Sequence, residues 1–198
     1  MNMNNLFSYL KENTYQGHRA LERSYPFNTY FKADNFNAVH YAKGLQTLGA
    51  FHRYCLPFCA SLSPSLRGEF DPQLPIQLIN QDLAALLPAN QAPIPFAMPA
   101  QKVTFARALA CTYVILGSSM GGNVIRRWLK SHHPNMPMDY YSAMASLGET
   151  WPQWQQTINT YLTTNPVSYD DVGEMAKALF LGLQMTGDGL RARGDATR

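Results

Sequence analysis

The sequence is low in charged residues and has no large excess of either sign. Of its 198 residues, 16 are Lys or Arg and 13 are Asp or Glu, which gives a formal net charge of +3 and a charged fraction of 15%. An average soluble protein has roughly a quarter of its residues charged. A net charge of +3 is too small for the clustered phosphate contacts that duplex DNA binding requires. We therefore expect no nucleic-acid partner, and the charge favours a small anionic ligand or an acidic protein.

Cysteine is also scarce. The chain has three cysteines, Cys55, Cys59 and Cys111, with no CxxC pair, and its first 30 residues contain no long apolar run. These absences argue against export and against a disulfide framework, so we expect a cytoplasmic protein. His52 joins Cys55 and Cys59 in an incomplete metal-ligand set, because Pro57 interrupts the turn and no fourth ligand follows at zinc-finger spacing. We favour buried thiols over a metal site.

Branched apolar residues are few. Leucine occurs 22 times, whereas valine and isoleucine together occur 12 times. A large parallel sheet is built on β-branched residues, so this balance favours an all-α fold. The length and the apolar fraction of 46% are those of a folded chain with one domain. We expect that domain over residues 1–187 and a disordered tail of glycine, charged and small polar residues over 188–198.

Apolar residues recur at helical spacing in six segments. The predicted helices cover residues 6–25, 34–57 with Asp34 as its cap, 74–87, 101–132, 140–163, and a last segment that begins at a Ser168–Asp171 capping box. Pro57 is expected to stop or kink the second helix, and Pro152 to interrupt the fifth. Four prolines between residues 88 and 99 predict a connection without regular structure.

The most apolar stretch, residues 105–125, is 21 residues long. That is close to the roughly 20 residues that cross a bilayer. The stretch contains Arg107 and Asn123 and runs into Arg126 and Arg127. We therefore predict a buried helix of a soluble protein and no membrane contact.

Three glycines, Gly117, Gly121 and Gly122, fall within six residues of this long helix. Each glycine costs about 1 kcal/mol relative to alanine, so the three together cost roughly 3 kcal/mol. Gly117 and Gly121 share one helix face and allow another body to approach the backbone closely. That body is either a second helix packed through small residues or a planar ligand against a kinked helix, with Ser118 ordering water.

The first predicted helix carries two residues of interest on one face. Lys11 and His18 are seven residues apart, which places their side chains on the same face and roughly 10 Å from each other. Glu22, one turn further, can hold the His18 ring in one tautomer. By spacing alone, His18 is either an ordinary core or surface histidine or a ligand-binding one.

Two separated motifs resemble those of heme oxygenases. The first, LKENTYQGHRALE at residues 10–22, is similar to the proximal helix of that family, with Thr four residues before the histidine and Glu four after it. The second, YVILGSSMGGNVI at residues 113–125, resembles the distal helix, particularly that of bacterial members. A weaker likeness lies at AKALFL, residues 176–181. With helix order and length, the resemblance covers residues 6–187 and implies the single-domain heme-oxygenase-like helical fold.

The resemblance implies roles for individual residues. His18 would be the axial iron ligand. The other implied roles are heme-propionate contacts for Lys11 and Tyr113, support of the His18 ring by Glu22, catalytic positions against the heme face for Gly117, Ser118, Gly121 and Gly122, and an apolar wall at Phe180. The second propionate is either exposed to solvent or met by Arg126, Arg127 or His132.

The implied reaction opens heme to biliverdin, carbon monoxide and Fe²⁺, consuming O2 and electrons, with heme as both cofactor and substrate. The chain has no GxGxxG fingerprint and no iron–sulfur cysteine cluster, so a ferredoxin or a flavoprotein reductase is the expected electron donor. The sequence departs from the family pattern at two places. Ser118 stands where mammalian members carry aspartate, so Asn123 or Arg126 is expected to anchor the distal water. No Lys or Arg lies between Lys130 and Lys177, where related enzymes often place basic residues.

Two other functions stay open at this point. A protein of the same fold that stores, carries or senses heme would bind heme through His18 without degrading it. A helical enzyme acting on a different small molecule would not bind heme.

Overall fold

The computed structural model describes residues 5–32, 34–87 and 92–195, and within those residues it contains helices and no strands. The helices are α1 (Leu6–Arg23), α2 (Ala38–Ser61), α3 (Pro64–Arg67), α4 (Leu74–Leu86), α5 (Phe105–His132), α6 (Asp139–Leu147), α7 (Trp151–Leu162) and α8 (Tyr169–Asp195). Short 3₁₀ turns cover Phe27–Thr29 and Gly148–Thr150. The all-α prediction is confirmed.

Helix α5 is the centre of the fold. It packs against α2, α6 and α8, and α1 lies along α8. Its apolar side chains are buried on several sides, including Leu109, Ile115, Leu116 and Leu129. By length and composition α5 is a candidate membrane span, but 56% of its apolar window is buried inside the protein. The core helix of a soluble protein has the same properties, so this helix does not decide where the protein resides.

The predicted N-cap of α2 is wrong, and of the two effects predicted for Pro57, a stop or a kink, the stop does not occur. The N-cap is Asn37, not Asp34, because the Asn37 side-chain oxygen accepts hydrogen bonds from Val39 N at 3.0 Å and His40 N at 3.1 Å. At the other end the helix continues through Pro57 to Ser61. A proline inside a helix costs ~3 kcal/mol or more, and burial of the next two side chains, Phe58 and Cys59, offsets that loss.

The start of α5 and the break before α7 follow from local chemistry. Helix α5 begins four residues later than predicted, where the Thr104 hydroxyl accepts from Arg107 N at 3.3 Å. The predicted interruption at Trp151–Pro152 is a 3₁₀ turn over Gly148–Thr150, and Pro152 lies in the first turn of α7, where its missing N–H removes no helical bond. Ser168 Oγ accepts from Asp171 N at 3.2 Å, which is one of the two hydrogen bonds of the predicted capping box.

The last helix extends further than the sequence predicted. We expected a disordered tail over residues 188–198, but α8 continues to Asp195, and residues 196–198 lie outside the described part of the chain. Gly187 packs directly against the carbonyl oxygen of Tyr25, and Leu190 is buried. These contacts stabilise a segment whose composition alone would not hold a helix.

The proline-rich connection has no helix or strand over residues 92–104, as predicted, and residues 88–91 lie outside the described part. Phe96 anchors it. Its ring packs against Phe51 and Tyr54, and it lies so close to Gly182 that a Cβ there would be 2.7 Å from the ring. Ala97 N also donates to Thr186 Oγ1 at 3.0 Å.

Candidate functional site

A cleft of ≈ 490 Å³ is lined by four helices. Ligand sites in proteins commonly have volumes of roughly 300–1,000 Å³. The lining residues are Phe7, Lys11, Thr14, Tyr15 and His18 of α1, Tyr113, Val114, Gly117, Ser118 and Met120 of α5, Trp151 and Gln155 of α7, and Phe180 of α8. Six residues of the predicted site are therefore brought together: Lys11, His18, Tyr113, Gly117, Ser118 and Phe180.

The spacing of α1 places its cleft residues on one side of the helix. Phe7, Lys11, Thr14 and His18 follow the i, i+4, i+7, i+11 pattern of a single face. The helix starts at Asn5, whose side chain accepts from Ser8 N at 2.9 Å. The predicted two-turn relation between Lys11 and His18 therefore holds, and both residues line the same cleft.

His18 is not a core residue. Its side chain is 53% exposed, and its Nδ1 lies 3.4 Å from Glu22 Oε1. The edge of the ring packs against Phe180, with centroids 5.7 Å apart. Nε2 has no hydrogen-bond partner among the described residues. The ring is thus supported on one nitrogen and free for a ligand on the other.

Gly17 sets the distance between α1 and α8. A Cβ at this position would lie 3.1 Å from Phe180 Cβ, which is tighter than side chains normally pack. A glycine therefore lets the two helices come this close just before His18 without displacing Phe180. The sequence analysis did not assign this role to Gly17, because the position of α8 against α1 is a tertiary property.

The three glycines of α5 have different surroundings. A Cβ at Gly122 would lie 3.0 Å from Met144 Cβ and 3.3 Å from Ala145 N, so this glycine is required for packing against α6. At Gly117 the nearest atom would be Trp151 Cη2 at 3.8 Å, and at Gly121 there is nothing within 4 Å. Helix–helix packing therefore explains Gly122 but not the other two.

Gly121 does not line the cleft itself but lies one turn beyond Gly117 on the same side of α5. Between them, Ser118 is exposed, and its Oγ donates to Ile115 O at 2.7 Å. The hydroxyl oxygen keeps its lone pairs for a second hydrogen bond. This side of α5 thus offers bare backbone and one hydroxyl group.

Aromatic rings from three helices form part of the cleft wall. The centroid of Phe7 lies 6.3 Å from Tyr113 and 5.8 Å from Trp151, and the last two are 5.8 Å apart. Burial raises the pKa of Tyr113, and a side-chain hydrogen bond with Thr14 partly offsets this rise. The phenol therefore stays protonated at neutral pH and can donate a hydrogen bond. Trp151 was not predicted as a site residue, since it follows the predicted helix break.

Charge in the cleft is sparse. Lys11 is the single lysine or arginine among the described residues that line it, and no aspartate or glutamate lines it. Arg126, expected at a propionate, does not line the cleft. It lies nine residues after Gly117, about half a turn out of phase, and its Nη2 donates to Asn123 Oδ1 at 3.2 Å.

The cysteines are three free, buried thiols, as predicted. Burial raises the pKa of Cys59 to about 12, so that thiol is protonated and unreactive. His52 bonds through Nε2 to the Tyr140 hydroxyl at 3.0 Å instead of joining the cysteines. Within the described ranges no group of three or more His, Cys, Asp or Glu side chains is arranged to hold a metal ion.

Comparisons with protein-family models, curated proteins and solved structures find no match. The likeness to heme oxygenases is therefore a resemblance of sequence motifs. A function for the cleft depends on its own geometry and chemistry.

Proposed function

We propose that this protein is a heme oxygenase that converts heme, with O2 and electrons, to biliverdin, carbon monoxide and Fe²⁺. Heme is both substrate and cofactor in this reaction, and when bound it supplies the iron that activates O2 and the ring that is oxidised. Electrons come from a ferredoxin or a flavoprotein reductase, and the site of action is the cytoplasm.

The observation that carries the proposal is the uncovered face of α5. Gly117 and Gly121 together cost about 2 kcal/mol of helix stability, and no packing among the described residues accounts for them. A flat ligand in van der Waals contact with the bare backbone explains why side chains are absent on this face. Gly122 does not support the proposal, because its packing against α6 already accounts for the absence of a side chain.

The other lining residues fit a heme. A carboxylate beside His18 Nδ1 favours the tautomer with its proton on that atom, which leaves the Nε2 lone pair for iron. Phe7, Trp151 and Phe180 supply apolar contact for the ring. Lys11 supplies a positive charge for a carboxylate. Of the residues to which the sequence resemblance gives a role, six thus line one cleft and Arg126 lies outside it.

Proton delivery must use water, because no acidic side chain lines the described cleft. Ser118 and the α5 carbonyl groups beside the glycines are the groups available to order that water. The same absence of an acid favours the second candidate, a protein that stores, carries or senses heme without degrading it.

One experiment tests both functions. Hemin is titrated into the protein while the heme absorbance spectrum is recorded, and a reductant and O2 are then supplied. We expect a His-ligated heme spectrum that converts to that of biliverdin with release of carbon monoxide. Bound heme that stays intact during turnover would favour the storage, transport or sensing function, and an absence of binding would reject both.

A matched pair of variants locates the axial ligand. His18→Ala is expected to change the heme spectrum and abolish biliverdin formation. His132→Ala removes an exposed histidine near the other end of α5, outside the cleft, and is expected to change neither. Identical spectra for wild type and His18→Ala would contradict the assignment of His18.

A further inference from the structure

The cleft contains one cation and one uncharged amide that have no partners of their own. Lys11 of α1 forms no ion pair within the described ranges, and the partly buried Gln155 of α7 has no hydrogen-bond partner there. A second cation is not nearby in the sequence of α7, since no Lys or Arg lies between Lys130 and Lys177. A ligand with two carboxylates would therefore meet two different kinds of donor.

We propose that the cleft distinguishes the two carboxylates of its ligand, with Lys11 binding one as an ion pair and Gln155 donating its amide hydrogens to the other. This inference rests on the proposed heme site. Gln155 is then a specificity-determining residue, and the site requires a negative charge on only one of the two groups.

The chemistry of the two donors makes the proposal measurable. A hydrogen bond from a cation to an ionised acceptor is roughly twice as strong as one between two neutral groups. Salt weakens exposed charge pairs because it screens them. An amide N–H donates to an ester carbonyl as well as to a carboxylate. The Lys11 contact should thus depend strongly on salt and on ionisation of its carboxylate, whereas the contact of the uncharged Gln155 amide should depend on both much less.

The probe is zinc protoporphyrin IX, compared with its monomethyl and dimethyl esters, because its fluorescence reports binding without turnover. For the wild type we expect the diacid and the monoester to bind within about threefold of each other and the dimethyl ester to bind at least tenfold more weakly. A monoester that binds as weakly as the dimethyl ester would overturn the proposal.

Variants separate the two contacts. Lys11→Met is expected to weaken binding of the diacid and to remove most of its salt dependence. Gln155→Leu is expected to weaken binding about threefold to tenfold, by nearly the same factor at low and high salt. The matched control is Gln156→Leu, which makes the same change at the neighbouring exposed residue of α7 and should bind as wild type.

A second substitution guards against a folding defect. Gln155→Glu keeps the size of the side chain and should weaken binding of the diacid at low salt, with recovery at high salt as the repulsion is screened. Unchanged binding in both Gln155 variants would overturn the inference, as would failure of the wild type to bind zinc protoporphyrin. Hemin that binds but is not degraded would instead contradict the oxygenase function. It would not affect the assignment of the two carboxylates to Lys11 and Gln155.

Discussion

At the scale of single residues, the surroundings of each glycine in α5 decide its effect. Gly121 meets nothing within 4 Å, whereas Gly122 lies against Met144. The two residues are adjacent in sequence and have the same intrinsic helix propensity. They therefore form a matched pair in which only the tertiary environment differs.

Gly121→Ala should stabilise the free protein and impair ligand binding. Alanine raises helix stability by about 1 kcal/mol over glycine, and the added methyl group has open space. The same methyl group would hold a flat ligand away from the backbone, so we expect weaker hemin binding and slower biliverdin formation. Urea unfolding and hemin titration measure the two effects.

Gly122→Ala is the control for that variant. Its Cβ would lie 3.0 Å from Met144 Cβ, so we expect a loss of unfolding free energy. A Gly121→Ala protein that binds hemin as tightly as wild type would contradict the assignment of this face to a ligand.

At the scale of helices, close approach determines where α8 ends. The sequence of its last turns is polar and contains glycine, yet helix continues to Asp195 because Gly187 packs on the Tyr25 carbonyl group and Leu190 is buried. Gly189, two residues later, has no neighbour within 4 Å of an added Cβ. The contact with the Tyr25 turn, not propensity, holds this part of α8.

Gly187→Ala and Gly189→Ala should therefore change the stability of the protein in opposite directions. A methyl group at Gly187 clashes with backbone, which cannot move as a flexible side chain can, so we expect destabilisation of at least about 2 kcal/mol. Gly189→Ala should stabilise by up to about 1 kcal/mol through helix propensity. Thermal and urea unfolding measure both, and equal effects at the two positions would show that α8 is not held at Tyr25.

At the scale of the whole molecule, stability depends on packing and hydrogen bonds more than on ion pairs. Across the part of the chain that the structure describes, the one ion-pair contact within 4.0 Å joins His18 to Glu22, and both side chains are more than half exposed. Buried polar groups that link helices use hydrogen bonds instead: His52 pairs with the Tyr140 hydroxyl, and the Asp82 carboxyl accepts from the backbone N–H groups of Asp139 and Tyr140. Lowering the pH is expected to reduce the free energy of unfolding through a buried histidine.

His52 links α2 to α6, and burial lowers its pKa to about 3. Its unfolded pKa is about 6.5, so below that pH the unfolded chain binds a proton that the folded protein does not. Stability is then fully present above about pH 6.5 and falls as pH decreases, by about 1 kcal/mol between about pH 7 and about pH 5.5. Urea unfolding at the two pH values measures this loss.

The control for the pH effect is His52→Gln, which stays neutral and can still bond to Tyr140. This variant should be less stable than wild type at neutral pH. Its free energy of unfolding should also fall less than that of wild type when the pH is lowered. Burial raises the pKa of the Asp82 carboxyl, which acts on stability with the opposite sign. Asp82 is present in both proteins, so the difference between wild type and His52→Gln isolates the contribution of His52. An equal loss in wild type and His52→Gln would contradict the role of His52.

Much of the helical framework was predictable because its signals are local. The bounds of α1 and α4, the break before α7 and the Ser168 cap follow from apolar spacing, prolines and capping side chains. The predicted cap of α2 was wrong because Asp34 and Asn37 are both good caps by residue type. Asn37 has the extended backbone and the side-chain hydrogen bonds of a cap. Pro57 does not stop α2, because the burial of later residues outweighs its local cost.

The sequence by itself determined the all-α class and the faces of α1 and α5, since helical spacing decides which side chains share a side. Spacing placed Lys11 and His18 on one face of α1, and the resemblance to heme oxygenase motifs, not spacing, implied that Gly117 belongs to the same site. Only the tertiary structure decided that Gly122 packs against α6, that Arg126 lies outside the cleft, and that Trp151 and Gln155 line it. These facts depend on how separate helices are placed against each other, and no local pattern encodes that placement.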